Sequence, residues 1–273
     1  MILPRLITAI LGIPLVLIVV YYGGSTFLVF LIVILVYMIK EYVYMTRAAG
    51  YETPVLCSFV TGVSIFFAIV LEELNFFKSG HFLFAIVLIS VLLLFFLIEI
   101  FRQQPVGAVG RISVGFTGPL LFGWSMAHMF LIRDIRPKGM EYLLLLFLVI
   151  WISDTGSYIF GSLLGRKKLA PAISPKKSIV GLIGGLVSGV LCTPIIVLLL
   201  KINVFSIKES MILGFGIALV STFSDLAESI IKRDCGFKDS DDLLPGHGGM
   251  MDRFDSFLFA APLYFYFLRY ILK

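Results

Sequence analysis

The residues able to do chemistry crowd into the C-terminal half of this 273-residue chain. Asp225, Glu228, Ser229 and Lys232 recur at i, i+3, i+4 and i+7, a spacing that places all four on one face of a helix. Between them stand the apolar Leu226, Ile230 and Ile231. A polar stripe on an otherwise apolar helix lines an interior cavity, and at ~1.5 Å rise per residue Asp225 lies about 10 Å from Lys232 along the axis. The loop that follows, residues 232–255, reads KRDCGFKDSDDLLPGHGGMMDRFD. Within it Asp252 and Asp255 are three apart at the start of a helix, so both carboxylates can face one point. Oxygen-only ligands of this kind suit Mg²⁺, which keeps several waters and bridges substrate phosphates. Asp234, Asp241 and Asp242 read as solvated loop. Gly246, Gly248 and Gly249 flank His247 and permit close backbone approach, and His247 is suited to bind a phosphate oxygen or to carry a proton.

A second loop is basic. Residues 165–178 hold Arg166, Lys167, Lys168, Lys176 and Lys177 and no acid. Ser174-Pro175-Lys176-Lys177-Ser178 leads directly into a helix, and a helix N-terminus with hydroxyls and two Lys is a good anion site. Arg166, Lys167 and Lys168 read as charges that fix topology. Gly181, Gly184, Gly185, Ser188 and Gly189 form a small-residue face for close helix packing. Asp154 lies inside an apolar run and is a functional candidate on that ground. Glu99, near the end of another run, reads as an acid snorkelling to the interface.

The elements that must position these groups are membrane helices. Hydrophobic residues make up 59% of the chain and charged ones 14%, with mean hydropathy +1.04. A soluble domain averages ~45–50% apolar and ~25% charged residues, so a soluble globule and a disordered chain are both excluded. Three Cys, at 57, 192 and 235, show neither a zinc spacing nor a disulfide framework. The expected fold is all-α and polytopic, with about nine spans near 6–22, 25–39, 56–72, 82–101, 112–132, 142–164, 179–200, 211–231 and 254–272, enclosing a membrane-embedded polar cavity open to the cytoplasm. The apolar runs are continuous, unlike the alternating strands of a β-barrel. One integral domain, 1–273, is expected, with scaffold helices over 1–140 and the catalytic site over 141–273. Most Lys and Arg in the connections fall on the side of the N-terminus, which places that side in the cytoplasm.

A metal-ready carboxylate cluster beside a phosphate-ready basic loop suits an enzyme that joins a water-soluble polyphosphate to a lipid phosphate or lipid alcohol, because two polyanions meet only where cations neutralise both. The run Ser229-Ile-Ile-Lys232-Arg233, then Lys238-Asp239, then Leu244-Pro245-Gly246-His247-Gly248-Gly249-Met-Met-Asp252-Arg253-Phe-Asp255 closely resembles the signature of the phosphatidate cytidylyltransferase (CDP-diacylglycerol synthase) family. Ser153-Asp154-Thr155-Gly156 and Ser174-Pro175-Lys176-Lys177 resemble it too, whereas Asp241 and Val180 depart from its usual pattern. The resemblance implies the reaction CTP + phosphatidate → CDP-diacylglycerol + pyrophosphate, with Asp225, Asp252 and Asp255 as ligands of Mg²⁺ or another divalent cation. It implies phosphate contacts from Ser174, Lys176, Lys177, Lys232, Arg233, Lys238 and Arg253. It gives His247 and Asp239 roles as loop organisers or substrate contacts. Asp154, Glu228, Ser229, Gly248 and Gly249 complete the candidate set. The expected partners are CTP, phosphatidic acid and the lipid bilayer, with no nucleic acid; a homodimer is admitted. The expected location is the cell (inner) membrane, with both active-site loops cytoplasmic. The competing readings are a CTP-dependent lipid kinase, which would release CDP, and a proton- or ion-coupled transporter, which would show paired repeats in both halves.

Overall fold

The structure, a computed structural model, describes residues 3–74, 76, 82–241 and 248–272. Ten helices and one small sheet follow in order: α1 Leu3–Tyr22, α2 Gly24–Ala48, α3 Val55–Glu73, α4 Leu83–Arg102, α5 Ala108–Asp134, α6 Gly139–Leu164, β1 Lys168–Ala170, β2 Ser174–Ser178, α7 Ile179–Leu199, α8 Ile207–Asp234, α9 Met251–Phe254 and α10 Phe257–Ile271. Apart from the two-stranded antiparallel hairpin β1–β2, the described secondary structure is helical. Among the described residues six helices, α2, α3, α4, α6, α7 and α8, are long and apolar enough to cross a membrane. On α4 the mean hydropathy reaches 3.1, yet only 11% of its most apolar stretch is buried, and Ile89, Leu93, Phe96 and Phe101 stand exposed. An apolar helix with an apolar outside belongs in lipid, and the chain is a membrane protein.

Two elements differ from the sequence reading. The second apolar run, read as ending at 39, continues as one helix to Ala48, 25 residues in all. Lys40, Glu41 and Arg47 therefore lie on α2 and not in a connection, because the helix keeps burying Tyr42, Val43, Met45 and Thr46 beyond the apolar stretch. The SPKKS segment is a strand, not merely the approach to a helix. It pairs with β1 through Lys168↔Ser178 and Ala170↔Ser174, and Ser178 then caps α7 by accepting the Gly181 N–H at 3.1 Å.

The chain forms two compact units: residues 1–131 with 234–254, and residues 132–233 with 255–273. In the first, α2, α3 and α5 meet through hydrogen bonds that run from side chain to backbone. Tyr42 Oη donates to the Val114 carbonyl at 2.9 Å, and Ser58 Oγ to the Gly115 carbonyl at 3.2 Å. Glu99 on α4 does not snorkel. Arg111 on α5 meets it with Nη2–Oε2 at 2.5 Å, both side chains 8% exposed, since an acid this enclosed needs a cation more than it needs the interface.

In the second unit the small faces of α6 and α7 interlock. A Cβ on Gly185 would come 2.1 Å from Ser157 Oγ, and one on Gly156 2.2 Å from Ser188 Oγ. The Gly-rich face is thus a helix-packing surface, as its spacing predicts. Phe147 of α6 and Phe257 of α10 stack edge-on at 4.9 Å, and the Phe259 N–H donates to Ser224 Oγ of α8 at 3.1 Å. These contacts gather α6, α8 and α10 around the polar stripe.

Candidate active site

The stripe on α8 is turned inward. Glu228 is fully buried, Ser229 and Lys232 are each 7% exposed, and Phe223 and Ile230 face outward. Lys232 is therefore not at an open mouth: its Nζ lies 2.5 Å from Glu228 Oε2, one turn below. A buried charge must be paired, and the i, i+4 spacing supplies the partner from the same helix.

Lys177 reaches from β2 to Asp225, with Nζ 2.7 Å from Oδ2, and also approaches the Thr222 carbonyl at 3.4 Å. Ser229 Oγ donates to Asp225 Oδ1 at 3.4 Å. Lys176, its neighbour on the strand, is exposed, while Ser174 at the strand start is half-buried. Arg233 Nε donates to the Ile173 carbonyl at 3.1 Å, which ties the hairpin turn to the end of α8. Asp154 on α6 and Asp255, just before α10, both lie close enough to Asp225 to feel its charge, with Lys177 acting on the first and Lys232 on the second. The second unit thus brings three carboxylates and two ammonium groups into one electrostatic neighbourhood. Among the described residues, no three or more His, Cys, Asp or Glu side chains are gathered tightly enough to hold a metal ion by themselves.

The loop that follows α8 belongs to the first unit, and there the central residue is one the sequence reading passed over. Glu41 of α2 is 2% exposed. Its Oε1 accepts the Met250 N–H at 2.7 Å, and its Oε2 accepts the Met251 N–H at 2.8 Å. The Ser240 hydroxyl lies between two carboxylates, 2.7 Å from Glu41 Oε2 and 2.9 Å from Asp252 Oδ2. Its single hydrogen serves one of them at a time. Asp252 Oδ2 also accepts the backbone N–H groups of Ser240 at 2.8 Å and Gly249 at 2.9 Å. The signal for Glu41 was present: an acid inside a helix that continues through the membrane is a functional candidate. Ending the helix at 39 hid it.

Gly248 and Gly249 are needed for this knot. Gly248 has φ +78°, and a Cβ there would meet Asp252 Oδ2 at 2.4 Å; one on Gly249 would meet Ser240 Oγ at 2.2 Å and Glu41 Oε2 at 2.4 Å. The close approach these glycines allow is to carboxylates of the protein itself. Lys238, Asp239 and Arg253 are exposed. At the end of α8, Tyr51 Oη donates to Asp234 Oδ2 at 2.8 Å, and this bond raises the Tyr51 pKa because the phenol must keep its proton to make it. Asp234 is thus a partnered residue, not merely solvated loop. His247, Asp242 and Gly246 lie outside the described residues.

Comparison with known proteins gives one family over nearly the whole chain. The sequence model of the cytidylyltransferase family matches residues 3–271. A phosphatidate cytidylyltransferase of Staphylococcus aureus is 33% identical over 262 residues, covering 95% of this chain and 96% of that protein. Shorter, stronger matches occur with the phosphatidate cytidylyltransferases of Staphylococcus haemolyticus, 47% identical over 128 residues, and Staphylococcus saprophyticus, 42% over 130. In these two the match spans about half of each relative, 49% and 50%.

Proposed function

The chain belongs to the cytidylyltransferase family, and from that premise we propose that it transfers CMP from CTP to phosphatidate, giving CDP-diacylglycerol and pyrophosphate. The observation that carries this reading is the contact of Lys177 with Asp225 at 2.7 Å. It places a cation from the basic hairpin against the carboxylate that heads the polar stripe of a membrane helix. Groups suited to a phosphate and to a metal ion thus stand side by side, which supports the reading.

The reaction joins an oxygen of the lipid phosphate to the α-phosphorus of CTP and breaks the bond from that phosphorus to the bridging oxygen, which leaves with pyrophosphate. The nucleophile is already an anion at neutral pH, so no strong base is required. The protein's task is to bring two polyanions together in line and to receive the leaving charge. Lys176 and Lys177 on β2, with Ser174, are assigned to phosphate oxygens. Lys232, Arg233, Lys238 and Arg253 are assigned to the same work from the end of α8 and the loop beyond it. Exposed Lys176, Lys238 and Arg253 are free to follow a mobile headgroup, whereas buried Lys232 supplies fixed charge. His247 and Asp239 are proposed as loop organisers or substrate contacts.

The donor chemistry fits a hard divalent cation. Asp225 and Asp255 offer oxygen alone, and Asp225 already carries an ammonium as counter-charge. We assign Asp225, Asp252 and Asp255 to hold Mg²⁺ together with water and the CTP phosphates, in keeping with the few protein ligands this ion takes. The chemistry such an ion supplies when bound is neutralisation of the charge that develops on pyrophosphate. Its ligands would otherwise repel one another. About nine crossings of the cell membrane, with loops 165–178 and 232–253 on the cytoplasmic side, give CTP its access.

The test is incubation of purified protein with CTP labelled at the α-phosphorus, phosphatidate and Mg²⁺. Label should enter lipid with release of one pyrophosphate per lipid product. Release of CDP, with only a γ-label entering lipid, would mean a lipid kinase instead; no turnover of either kind would remove the enzyme reading altogether.

A further inference from the structure

We infer that Glu41 is a positioning residue for this reaction: it holds Ser240, Met250 and Met251 in the register that presents Asp252. The inference rests on the metal-ligand role proposed for Asp252. Glu41 itself lies at the far end of the sequence from every residue of the signature, yet its carboxylate accepts the N–H groups of Met250 and Met251 at 2.7 and 2.8 Å. It also shares the Ser240 hydroxyl with Asp252. Two successive backbone amides and one side chain are therefore fixed by a single acid that is 2% exposed.

Three features separate this from ordinary core polarity. First, an ionisable acid on an apolar helix is costly to bury, and a neutral hydrogen-bonding residue would fill the volume at lower cost. Second, both carboxylate oxygens are spent on residues that adjoin or bond Asp252. Third, the space next to Glu41 is kept open by Gly249, where any side chain would strike Glu41 Oε2 and Ser240 Oγ. A carboxylate offers acceptors only, matched here by donors only. Glutamine has nearly the same shape but turns an NH₂ toward one of the two amides. Glu41→Gln thus removes the hold on one backbone N–H without opening a cavity.

The experiment uses the full chain purified in detergent, with three readouts on Glu41→Gln. Amide hydrogen exchange at whichever of Met250 and Met251 faces the new NH₂ should accelerate at least tenfold while that of α3 is unchanged. Turnover should fall roughly 10- to 100-fold with KM for CTP and phosphatidate within about threefold of wild type. The Mg²⁺ concentration for half-maximal rate should rise about tenfold, a shift that loss of folded protein does not produce. Ser240→Ala, which removes the bridge but leaves both amide contacts, should give a smaller loss of turnover of roughly 3- to 10-fold, and it serves if Glu41→Gln does not fold. Wild-type turnover and Mg²⁺ dependence in either folded variant, with Asp252→Asn inactive, would overturn the inference and leave the proposed function standing. Full activity of Asp252→Asn would remove the metal-ligand reading on which the inference rests.

Discussion

Lys177 and Lys176 are neighbours on one strand, and their settings predict different work. Lys177 is half-buried and ion-paired to Asp225, whereas Lys176 is exposed. Asp225→Asn keeps the shape of the side chain, removes its charge and leaves Lys177 without that counter-charge. Turnover should drop by roughly 100-fold or more, with membrane insertion unchanged. Lys177→Ala removes a charge-assisted contact worth ~1.5–3 kcal/mol, roughly 10- to 150-fold in rate or binding. Lys167→Ala, at a topology charge, should do little. Steady-state kinetics on the three variants checks the order, and equal losses at all three would defeat it. Glu99 and Arg111 make a contrasting pair, enclosed between α4 and α5 at 2.5 Å. Glu99→Gln removes the nearest counter-charge of Arg111 and leaves it the more distant, exposed Glu52, so it should lower the melting temperature in detergent yet leave turnover per folded molecule at the wild-type value. A fall in turnover with no change in stability would show that this pair serves chemistry. At this scale the sequence announces type and spacing but not partner. The stripe from Asp225 to Lys232 was legible from its period. The partner of Glu99 was not, because a salt bridge between helices leaves no local pattern.

Elements were legible where apolar period and length agree. α3, α4, α6, α7 and α8 lie within a few residues of the runs that predict them. α2 extends beyond its apolar run: its last two and a half turns carry Lys40, Glu41 and Arg47, and charge reads as loop until burial shows otherwise. The hairpin β1–β2 was unreadable for a related reason. Strands of three and five residues with charged side chains carry no apolar alternation, and their pairing is fixed by backbone hydrogen bonds that any sequence can make. The α6–α7 seam is the reverse case, since small residues at helical spacing name the packing directly. Gly185→Val should force the two helices apart, because even a Cβ would lie 2.1 Å from Ser157 Oγ and 3.0 Å from the Ser153 carbonyl. Gly216→Ala, whose Cβ would find its nearest neighbour at 3.8 Å, is the control. Size-exclusion chromatography after detergent extraction should show a monodisperse peak for the second variant and loss of it for the first. Two similar peaks would mean that the seam tolerates separation.

For the whole molecule, composition alone indicates lipid as solvent, and the six apolar helices agree. Sidedness needs more than hydropathy. The hairpin and the end of α8 are separated in sequence by α7 and most of α8, both long and apolar enough to cross, and two crossings would return the chain to the side it left. The bond from Arg233 Nε to the Ile173 carbonyl at 3.1 Å agrees with such a return: one end of the second unit carries both. Residues 165–178 and the start of the loop after α8 should therefore be labelled from the same face. Cys235 lies at the start of this loop, but it is 7% exposed. Burial, and then the adjacent Asp234 carboxylate, push its thiol pKa up. Since the thiolate is the reactive form, Cys235 should resist a maleimide at neutral pH, with labelling that climbs only as pH rises past the ordinary thiol range. The better probes are Lys167→Cys and Lys238→Cys in a chain whose three native cysteines are replaced. Both should stay unlabelled by an impermeant maleimide in intact cells and react fully in inside-out vesicles. If one reacts in intact cells and the other only in vesicles, the two loops lie on opposite faces and the count of crossings between them is wrong. If both react in intact cells, the loops share a face but it is the outer one, and the site would have to draw CTP from outside the cell.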